Sequence, residues 1–399
     1  MISVDEAGTR IRRNLKRVPF EEVALSQCTG RVLAVDVVSS VTKPPAAVSS
    51  MDGYAVRAID VATVPTILDI VGEAPAGHAL TGSIGPGEAV RIFTGGVLPV
   101  GADSVVIQEN AVRNGSRVTV RESVHAGRFV RRRGLDFAEG DAAGLAGRLL
   151  GPREIGLIAS MNASWVRVAR RPRVAIMGTG DELVRPGDVP RPDQVVSSNS
   201  LVLGALVTQA GGEAVNLGIA RDNRQSILDC LCHAAGSDML VVTGGMSVGE
   251  HDLVRKVMDD QGMDLDFWKV AMRPGKPLAF GLLDSMPILG FPGNPVSTLV
   301  CGHLFLRPAI HTMLGRVDGD IGDETAITTT DLAVNDERQD YLRATHARSA
   351  SGQLEVTTFD RQDSSMVAVL ASASCFIIRA PHAPAVPAGG HVTVMRLDT

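Results

Sequence analysis

The sequence predicts a multidomain protein in which a mainly parallel α/β unit is combined with β-rich regions. Two patterns carry this prediction. Strand-like and helix-like segments alternate over 172–318, whereas short β-type runs separated by Gly and Pro fill 43–133 and 319–399. The length of 399 residues is sufficient for several domains and a large buried core.

The composition is that of an ordinary globular protein, with 45% hydrophobic and 21% charged residues. A net charge of −5 and an aromatic content of 4% argue against a nucleic-acid surface, which needs positive charge and stacking rings. No signal peptide is expected after the acidic start, and the apolar stretch at 297–305 is too short to cross a membrane. The five cysteines include no Cys-x-x-Cys pair, so we expect reduced thiols and a cytoplasmic location.

The first segment, 1–42, is predicted to begin with a helix over 4–16, because Ser3 and Glu6 have capping-box spacing. A helix-like run is also expected within 19–35. Residues 137–170 are predicted to be helical again, most clearly over 152–161, where proline follows Gly151. If this segment packs back on the first helix, 1–42 and 134–171 form one linking domain, and 43–133 is an insertion between its halves.

The insertion is predicted to be β-rich, with strands near 66–72, 88–93, 104–108 and 117–120. Its loops carry Asp52 in Ser50-Met-Asp-Gly-Tyr-Ala55 and Thr94 in Thr94-Gly-Gly, and Asp136 follows the arginine run 131–133. Taken singly, these residues have simpler interpretations as a turn carboxylate, a turn-closing hydroxyl and a counter-charge. The C-terminal segment, 319–399, is predicted to be a small β domain.

The α/β unit, 172–318, alternates strands near 174–177, 214–219, 238–242, 266–271, 278–282 and 287–289 with helices near 199–210, 225–235, 253–258 and 296–314. In such sheets the loops at the carboxyl ends of the strands build the binding site. Between a predicted strand and helix lies Thr243-Gly-Gly-Met-Ser-Val-Gly-Glu-His-Asp252, a glycine-rich loop typical of phosphate binding. Asp252, at the helix start, is either a metal ligand beside phosphate or an N-cap.

Other loops of the unit add charge at the same edge of the sheet. Glu182 and Asp222 follow two further strands, and each taken alone is a plausible helix-start carboxylate. Beside phosphate, however, these carboxylates and Asp252 require a cation between them, which predicts Mg²⁺. Arg273 and Lys276 are predicted to bind oxyanions. A P-loop and a Rossmann fingerprint are absent from the sequence.

Taken together, these motifs resemble the molybdopterin molybdenumtransferase family, which comprises the bacterial MoeA proteins and the E domain of gephyrin and its plant counterpart. The match extends over almost the whole chain, and the number and order of the motifs make it specific. They are Ser50-Met-Asp-Gly-Tyr-Ala55, Thr94-Gly-Gly, Pro99-Val-Gly-Ala-Asp103, Arg131-Arg-Arg-Gly-Leu-Asp136, Gly178-Thr-Gly-Asp-Glu-Leu183, Ser198-Asn-Ser200, the loop 243–252, Pro274-Gly-Lys-Pro277 and Pro292-Gly-Asn-Pro-Val-Ser297.

The resemblance implies a reaction and a fold. Members of the family insert molybdate into the dithiolene of adenylylated molybdopterin, releasing AMP and forming molybdenum cofactor, with Mg²⁺ supporting pyrophosphate cleavage. The implied fold has an elongated linker domain (1–42 and 134–171), an inserted β-rich domain (43–133), a molybdopterin-binding three-layer α/β domain (172–318) and a C-terminal β-barrel (319–399). Members are elongated homodimers whose cleft lies between two subunits.

The resemblance also assigns expected site residues. Asp52, Thr94 and Asp136 would come from one subunit, and Glu182, Asp222 and Asp252 from the α/β domain of the other. Glu182 and Asp252 are the expected metal ligands. The expected substrate-binding residues are Thr243, Gly244, Gly245, Ser247, Gly249, Arg273, Lys276, Pro292, Pro295, Ser297, Arg343 and Ser365.

The chain departs from the family pattern at three points. Arg273 stands where many members have lysine, Leu135 replaces a frequent acidic residue, and 362–366 lacks the usual Gly-Ser-Gly form, which affects the assignment of Ser364 and Ser365. Two alternatives remain: a molybdopterin adenylyltransferase, which shares the glycine-rich loop but lacks the inserted and barrel domains, and a non-catalytic scaffold such as gephyrin also provides. A transient contact with the adenylyltransferase is expected. Binding to nucleic acid or to a membrane is not expected.

Overall fold

The computed structural model of the protein describes residues 1–245, 253–318 and 322–397. Within these ranges three six-stranded sheets organise the chain: one in the insertion, one in the α/β part and one in the C-terminal part. The multidomain combination of α/β and β structure predicted from the sequence is therefore confirmed. No helix in the described ranges is both long and apolar enough to span a membrane.

The chain begins with α1 (Val4–Arg13), which Ser3 caps by accepting the N–H of Glu6 on its side-chain oxygen. The predicted start is confirmed, but the helix ends at Arg13 rather than at 16. The reason is tertiary: the N–H of Val18 donates to the carbonyl of Met313, so the chain has already turned towards another helix. Next comes β1 (Phe20–Ala24), where a helix-like run was expected.

The insertion is β-rich, as predicted. The strands are β2 (Val48–Ser49), β3 (Gly53–Val56), β4 (Thr66–Ala74), β5 (Glu88–Ile92), β6 (Ser104–Ile107), β7 (Ala111–Asn114), β8 (Arg117–Val120) and β9 (Val130–Arg131). Six of them form a sheet in the order β6-β3-β5-β4-β8-β7, while β2 pairs with β9. Because β3 is antiparallel to both β5 and β6, its start lies beside their ends.

After the insertion the chain forms α2 (Pro152–Ser160) and β10 (Trp165–Ala169). The helix confirms the prediction for 152–161, whereas the helical prediction for the residues after it is wrong. The buried Val166 and Val168 alternate with the exposed Trp165 and Arg167, and this period of two suits a strand. The strand β10 pairs antiparallel with β1. The core around α2 includes Ile158 and Leu33 and is separate from the core that α1 joins.

The α/β part contains β11 (Arg173–Thr179), β12 (Leu183–Val184), β13 (Val195–Val196), α3 (Asn199–Gln209), β14 (Glu213–Ala220), α4 (Arg224–Ala234), β15 (Met239–Thr243), α5 (Leu253–Asp260), β16 (Asp264–Trp268), β17 (Met272–Arg273), β18 (Ala279–Leu283), β19 (Met286–Phe291), α6 (Pro295–Cys301) and α7 (Arg307–Leu314). A π-helical turn, Gly302–Leu306, joins α6 to α7, so the predicted helix at 296–314 is present with one irregular turn.

The α/β sheet has the order β14-β11-β15-β19-β18-β16, and its first four strands run parallel. Only β18 runs against its neighbours β19 and β16. Alternate residues of β11 enter different cores: Val174 and Ile176 face one side, Ala175 and Met177 the other. The sheet is therefore covered on both faces, which is the three-layer arrangement predicted.

The C-terminal part contains β20 (Glu324–Thr328), β21 (Gln339–Arg348), β22 (Leu354–Thr358), α8 (Val367–Ser372), β23 (Cys375–Arg379) and β24 (His391–Arg396). The strands follow the order β21-β22-β20-β24-β23, and β23 pairs back with β21, which closes a five-stranded barrel. From outside, β17 of the α/β part pairs parallel with β21. This pairing ties the loop that follows Arg273 to the barrel.

Candidate active site

A cleft opens at the carboxyl ends of β11, β15 and β19, which are neighbours in the sheet. It has a volume of about 410 Å³ and is continued by a second cavity of about 490 Å³ that shares Thr179 and Glu182 with it. The residues around both include members of all three loops expected to converge: Thr179, Glu182, Thr243, Gly244, Gly245, Gly293, Asn294 and Pro295, together with Asn199, Asp222, Lys256 and Ser365. Of these, Thr179, Asn199, Lys256, Gly293 and Asn294 were not among the site residues expected from the sequence.

Glu182 stands where the two cavities meet because Gly180 lets its carboxylate fold back over the strand end. The φ angle of Gly180 is 138°, a backbone conformation that favours glycine. A Cβ atom at this position would lie 2.2 Å from Glu182 Oε2. Any side chain at 180 would therefore displace the carboxylate that was predicted to act in the reaction.

Asn199 ties two of the loops together at the start of α3. Its Nδ2 atom donates to Thr243 Oγ1 at 2.9 Å and to the carbonyl of Gly293 at 2.7 Å. The Thr243 hydroxyl in turn donates to the carbonyl of Pro292 at 3.4 Å. Thr243 and Pro292 were predicted to bind or shape the substrate site. Both are buried; Thr243 lines the cleft, whereas Pro292 is not among its lining residues.

Thr179 carries a buried polar atom that has no partner among the described residues. The residue is 3% exposed, and its Oγ1 atom makes no hydrogen bond within 1–245, 253–318 and 322–397. A Cβ atom on Gly245 would lie 2.5 Å from this oxygen, so the glycine is required for the loop to approach it. Because buried hydroxyls are normally paired, Thr179 is a candidate ligand-binding residue. The signal in the sequence was its place inside Gly178-Thr-Gly180.

Asp222 is not an N-cap, contrary to the simplest interpretation of that residue alone. The cap of α4 is Asn223, whose Oδ1 atom accepts the N–H of Ser226 at 2.9 Å. Asp222 instead accepts the N–H of Asp181 at 3.3 Å, while Asp181 accepts the N–H of Asp222 at 3.2 Å. This exchange joins the ends of β11 and β14 and places Asp222 at the cavity that Glu182 also lines.

A further cavity, of about 400 Å³, lies between the α/β part and the barrel. Among its lining residues are three of the predicted oxyanion-binding residues, Lys276, Ser297 and Arg343. Arg343 is 1% exposed and donates to the carbonyls of Arg361 and Met366 and to Gln362 Oε1. Burial lowers the pKa of its guanidinium. A buried cation held by neutral oxygens gains from a bound anion, so this cavity suits an oxyanion.

Arg273 also lines the barrel-side cavity, but its side chain is engaged by the barrel. Its Nη1 atom donates to Asp336 Oδ2 at 3.0 Å, and its Nη2 atom donates to Asp340 Oδ2 and Asn335 Oδ1. Asp340 is 3% exposed. The planar fork expected to hold an oxyanion is therefore used to fasten β17 to the barrel.

The two barrel serines face different cavities. Ser364 lines the barrel-side cavity together with Arg343, whereas Ser365 lines the cleft at the sheet edge. Ser364 Oγ accepts from Asn294 Nδ2 at 2.8 Å, and Ser365 donates to Asp363 Oδ1 at 2.6 Å. Ser365, which the resemblance placed with Arg343, therefore lies on the other side, and Ser364 is the serine that the structure brings to Arg343.

Asp52 and Thr94 form a pair at one end of the inserted sheet. Asp52 Oδ1 accepts the Thr94 N–H at 2.7 Å and the Thr94 hydroxyl at 2.8 Å. These hydrogen bonds stabilise the carboxylate and hold the pKa of Asp52 below its usual value. Asp136 lies at the base of the insertion, where its Oδ2 atom is 3.5 Å from Lys43 Nζ. In the described part of a single chain, none of these three residues lines the cleft of the α/β part.

Asp252, Ser247 and Gly249 lie outside the described residues. For the predicted Mg²⁺, Glu182 and Asp222 line one cavity, and their carboxylate oxygens are the donors that this ion prefers. The described residues contain no group of three or more potential metal ligands. The fit of the ion thus rests on these two carboxylates.

Comparison with protein families places three descriptions along the chain. Residues 2–162 match the MoeA N-terminal region (domain I and II), residues 175–312 match a probable molybdopterin binding domain, and residues 325–397 match the MoeA C-terminal region (domain IV). The order of the three matches follows the order of the structural parts.

Individual relatives agree with these matches. A molybdopterin molybdenumtransferase of Haemophilus influenzae is 32% identical over 99% of this chain and 98% of its own, and one of Nostoc is 39% identical over 75% of this chain and 70% of its own. A solved structure of a molybdopterin biosynthesis MoeA protein of Pyrococcus horikoshii superposes with a TM-score of 0.84 at 28% identity, covering 99% of both chains. A second structure from that organism, at 24% identity and a TM-score of 0.87, agrees in fold.

Proposed function

The chain belongs to the MoeA family of molybdopterin molybdenumtransferases, and from this premise we propose that it inserts molybdate into adenylylated molybdopterin with release of AMP. The product would be molybdenum cofactor. The proposal assigns the pterin substrate to the cleft at the sheet edge and molybdate to the barrel-side cavity.

The observation that carries the proposal is the wall between these two spaces. Asn294 and Pro295 line the cleft, while the next residues, Val296 and Ser297, line the barrel-side cavity. In the same way, Ser365 lines the cleft and its neighbour Ser364 lines the barrel-side cavity. Because consecutive residues line the two spaces, two anions would bind in separate, differently lined spaces that adjoin one another, as the transfer of molybdate to a bound pterin requires.

The residues of the cleft suit the negatively charged end of the substrate. The backbone at Gly244 and Gly245 takes positive φ angles of 87° and 59°, conformations that glycine adopts without strain and that can turn N–H groups towards an anion. Lys256 adds positive charge at the adjoining cavity. Lys276, Ser297, Ser364 and Arg343 provide donors on the molybdate side. Catalysis would then consist of positioning and charge stabilisation, with no side chain needed as a nucleophile.

We include Mg²⁺ in the proposal, held by Glu182 and Asp222 and by Asp252 from outside the described residues. When bound, the ion would neutralise charge on the pyrophosphate and so favour its cleavage. Glu182 is the residue of this set whose position the structure explains best, because Gly180 admits its carboxylate at the junction of the two cavities.

We further propose that the protein works as a homodimer, in which Asp52, Thr94 and Asp136 of one subunit complete the cleft of the other. The support is that these three residues lie on the insertion and its base, away from the lining of the cleft within one chain. A cytoplasmic location and a transient contact with the adenylyltransferase complete the proposal. The location is supported by the five cysteines, all of which are thiols in the structure.

The test is to supply the purified protein with adenylylated molybdopterin, molybdate and Mg²⁺ and to measure AMP. We expect AMP release that rises with molybdate and saturates. AMP release that is independent of molybdate, or absent, overturns the proposed reaction.

The same assay separates the alternatives. An adenylyltransferase would form the adenylate from ATP and molybdopterin, and a scaffold would bind the adenylate without turnover. The presence of the insertion and the closed barrel already disfavours the first alternative, because a protein with only the α/β domain would need neither.

A further inference from the structure

We propose that Arg91 is a positioning residue that holds Asp52 and Thr94 in their reactive arrangement; this inference rests on the function proposed above. Arg91 lies on β5 and is the cross-strand neighbour of Tyr54 on β3. It touches both segments that carry the pair, as well as Gln108, which directly follows the strand on the far side of β3. No motif in the sequence singled it out.

The three strand ends around Asp52 are joined through Arg91. Its Nη1 atom donates to the carbonyl of Gly53 at 3.2 Å, and its Nη2 atom donates to Gln108 Oε1 at 2.8 Å. The N–H of Gln108 donates to the carbonyl of Asp52 at 3.1 Å. The start of β3 and the end of β6 are therefore fastened to one guanidinium.

The guanidinium also lies near two aromatic rings. Its Cζ atom is 5.2 Å from the ring centroid of Tyr54 and 4.8 Å from that of Phe93. Tyr54 follows Asp52 and Gly53, and Phe93 immediately precedes Thr94. Arg91 thus contacts both chain segments through cation–π interactions and one of them also through a hydrogen bond.

The geometry explains why arginine is needed here. A lysine could keep the charge and lie against the rings, but it lacks the planar fork that reaches Gly53 and Gln108 at the same time. The backbone at Gly53 is also tightly packed, since a Cβ atom there would lie 2.0 Å from the carbonyl oxygen of Val106. Loss of the fork would let the segment carrying Thr94 move relative to Asp52 while both side chains remain present.

The test measures molybdate-dependent AMP release by Arg91→Met and Arg91→Lys variants. A misplacement of about 1 Å can cost on the order of 100-fold in rate, so we expect roughly 10- to 100-fold lower kcat for Arg91→Met and a smaller loss for Arg91→Lys. The matched control is Arg117→Met, which removes an exposed arginine of the same sheet that pairs with Asp69. This control should retain its activity.

A double-mutant comparison separates positioning from general support of the fold. In an Asp52→Asn background, Arg91→Met should cause little further loss, because the pair that it positions is already disabled. An equal fold-loss in both backgrounds, or no loss in the wild-type background, overturns the inference. If Arg91→Met does not fold, Arg91→Lys carries the same comparison.

A structural readout keeps this inference distinct from the proposed reaction. The crystal structure of Arg91→Lys should show the contact between Thr94 Oγ1 and Asp52 Oδ1, 2.8 Å in the wild-type protein, lengthened or broken. An unchanged contact overturns the positioning role, whatever the assay shows. Wild-type protein without molybdate-dependent AMP release would overturn the reaction instead.

Discussion

At the scale of the residue, the cleft departs from the rule that buried polar atoms are paired. Thr179 Oγ1 is buried at the point where two cavities meet, and no group in the described part of the chain forms a hydrogen bond with it. Elsewhere nearby the rule holds: Thr298, which is fully buried, donates its hydroxyl to the carbonyls of Pro292 and Asn294. The contrast between two buried threonines suggests that the first keeps its hydroxyl for a ligand.

Thr179→Val should therefore leave the free energy of unfolding unchanged or raise it, because it replaces an unpaired hydroxyl by a methyl group of similar shape. The same change should raise KM for adenylylated molybdopterin. Thr298→Val is the matched control and should lower the free energy of unfolding by about 1–3 kcal/mol. Denaturant titrations and steady-state assays of both variants check the prediction, which fails if Thr179→Val is as destabilising as Thr298→Val.

The two barrel serines give a second prediction at this scale. Ser364→Ala should raise KM for molybdate, because Ser364 shares its cavity with Arg343 and Lys276. Ser365→Ala should instead change KM for adenylylated molybdopterin, since Ser365 lines the cleft. The loss of one hydrogen bond to an anion corresponds to roughly 10-fold in KM. Steady-state kinetics with each substrate varied in turn would refute the assignment if the two serines exchanged their effects.

At the scale of the element, the short strand β17 matters more than its two residues suggest. It pairs with β21 of the barrel, and Arg273 reinforces the pairing through Asp336 and Asp340. The loop with Lys276 begins directly after β17, so the position of the barrel determines where this lysine lies. An arginine at position 273 suits this arrangement, because a guanidinium can serve two carboxylates at once.

Asp336 makes this attachment sensitive to acid. Hydrogen bonding from Arg338 lowers its pKa to about 2, from a reference value of 3.8. A carboxyl whose pKa is lower in the folded protein stabilises it at neutral pH, and this contribution is lost as the pH falls from near 3.8 towards about 2. Unfolding by denaturant should thus show a difference between wild type and Asp336→Asn at pH 6 that shrinks below pH 4. A difference that is constant over this range would contradict the prediction.

At the scale of the whole molecule, the chain divides into bodies with separate cores. Ile11 of α1, Ile176 of the α/β sheet and Phe376 of the barrel belong to one continuous hydrophobic cluster. The insertion has its own two clusters, around Val106 and around Val105. The candidate site is divided in the same way, since the pair Asp52–Thr94 belongs to the insertion and Glu182 to the large body.

A shared cleft in a homodimer predicts complementation between inactive variants. Asp52→Asn and Glu182→Gln should each have little activity alone. After mixing with exchange of subunits, half of the dimers would be mixed and each would hold one intact cleft, so about a quarter of the wild-type activity should return. Mixing Asp52→Asn with Thr94→Val is the control and should restore nothing, because both changes lie in the same half of the cleft. No recovery in the first mixture would contradict a shared cleft.

Much of this architecture could be predicted because its signals are local. The buried strands of the α/β sheet, the glycine-rich loops after them and the cap at Ser3 each depend on residues a few positions apart. The helical predictions near 20–24 and 165–169 were wrong where two short segments far apart in sequence pair as β1 and β10. Strand pairing at that separation leaves little trace in either segment alone.

The sequence by itself determined the order of the elements, the β-rich character of the insertion and the set of motifs that identified the family, because hydrophobic periodicity and motif spacing are properties of the chain. Only the tertiary structure decided that Asn223 rather than Asp222 caps α4, that Arg273 fastens the barrel, that Ser364 rather than Ser365 joins Arg343, and that Arg91 spans three strand ends. The physical reason is that these roles depend on which distant groups a side chain meets after the sheets have packed.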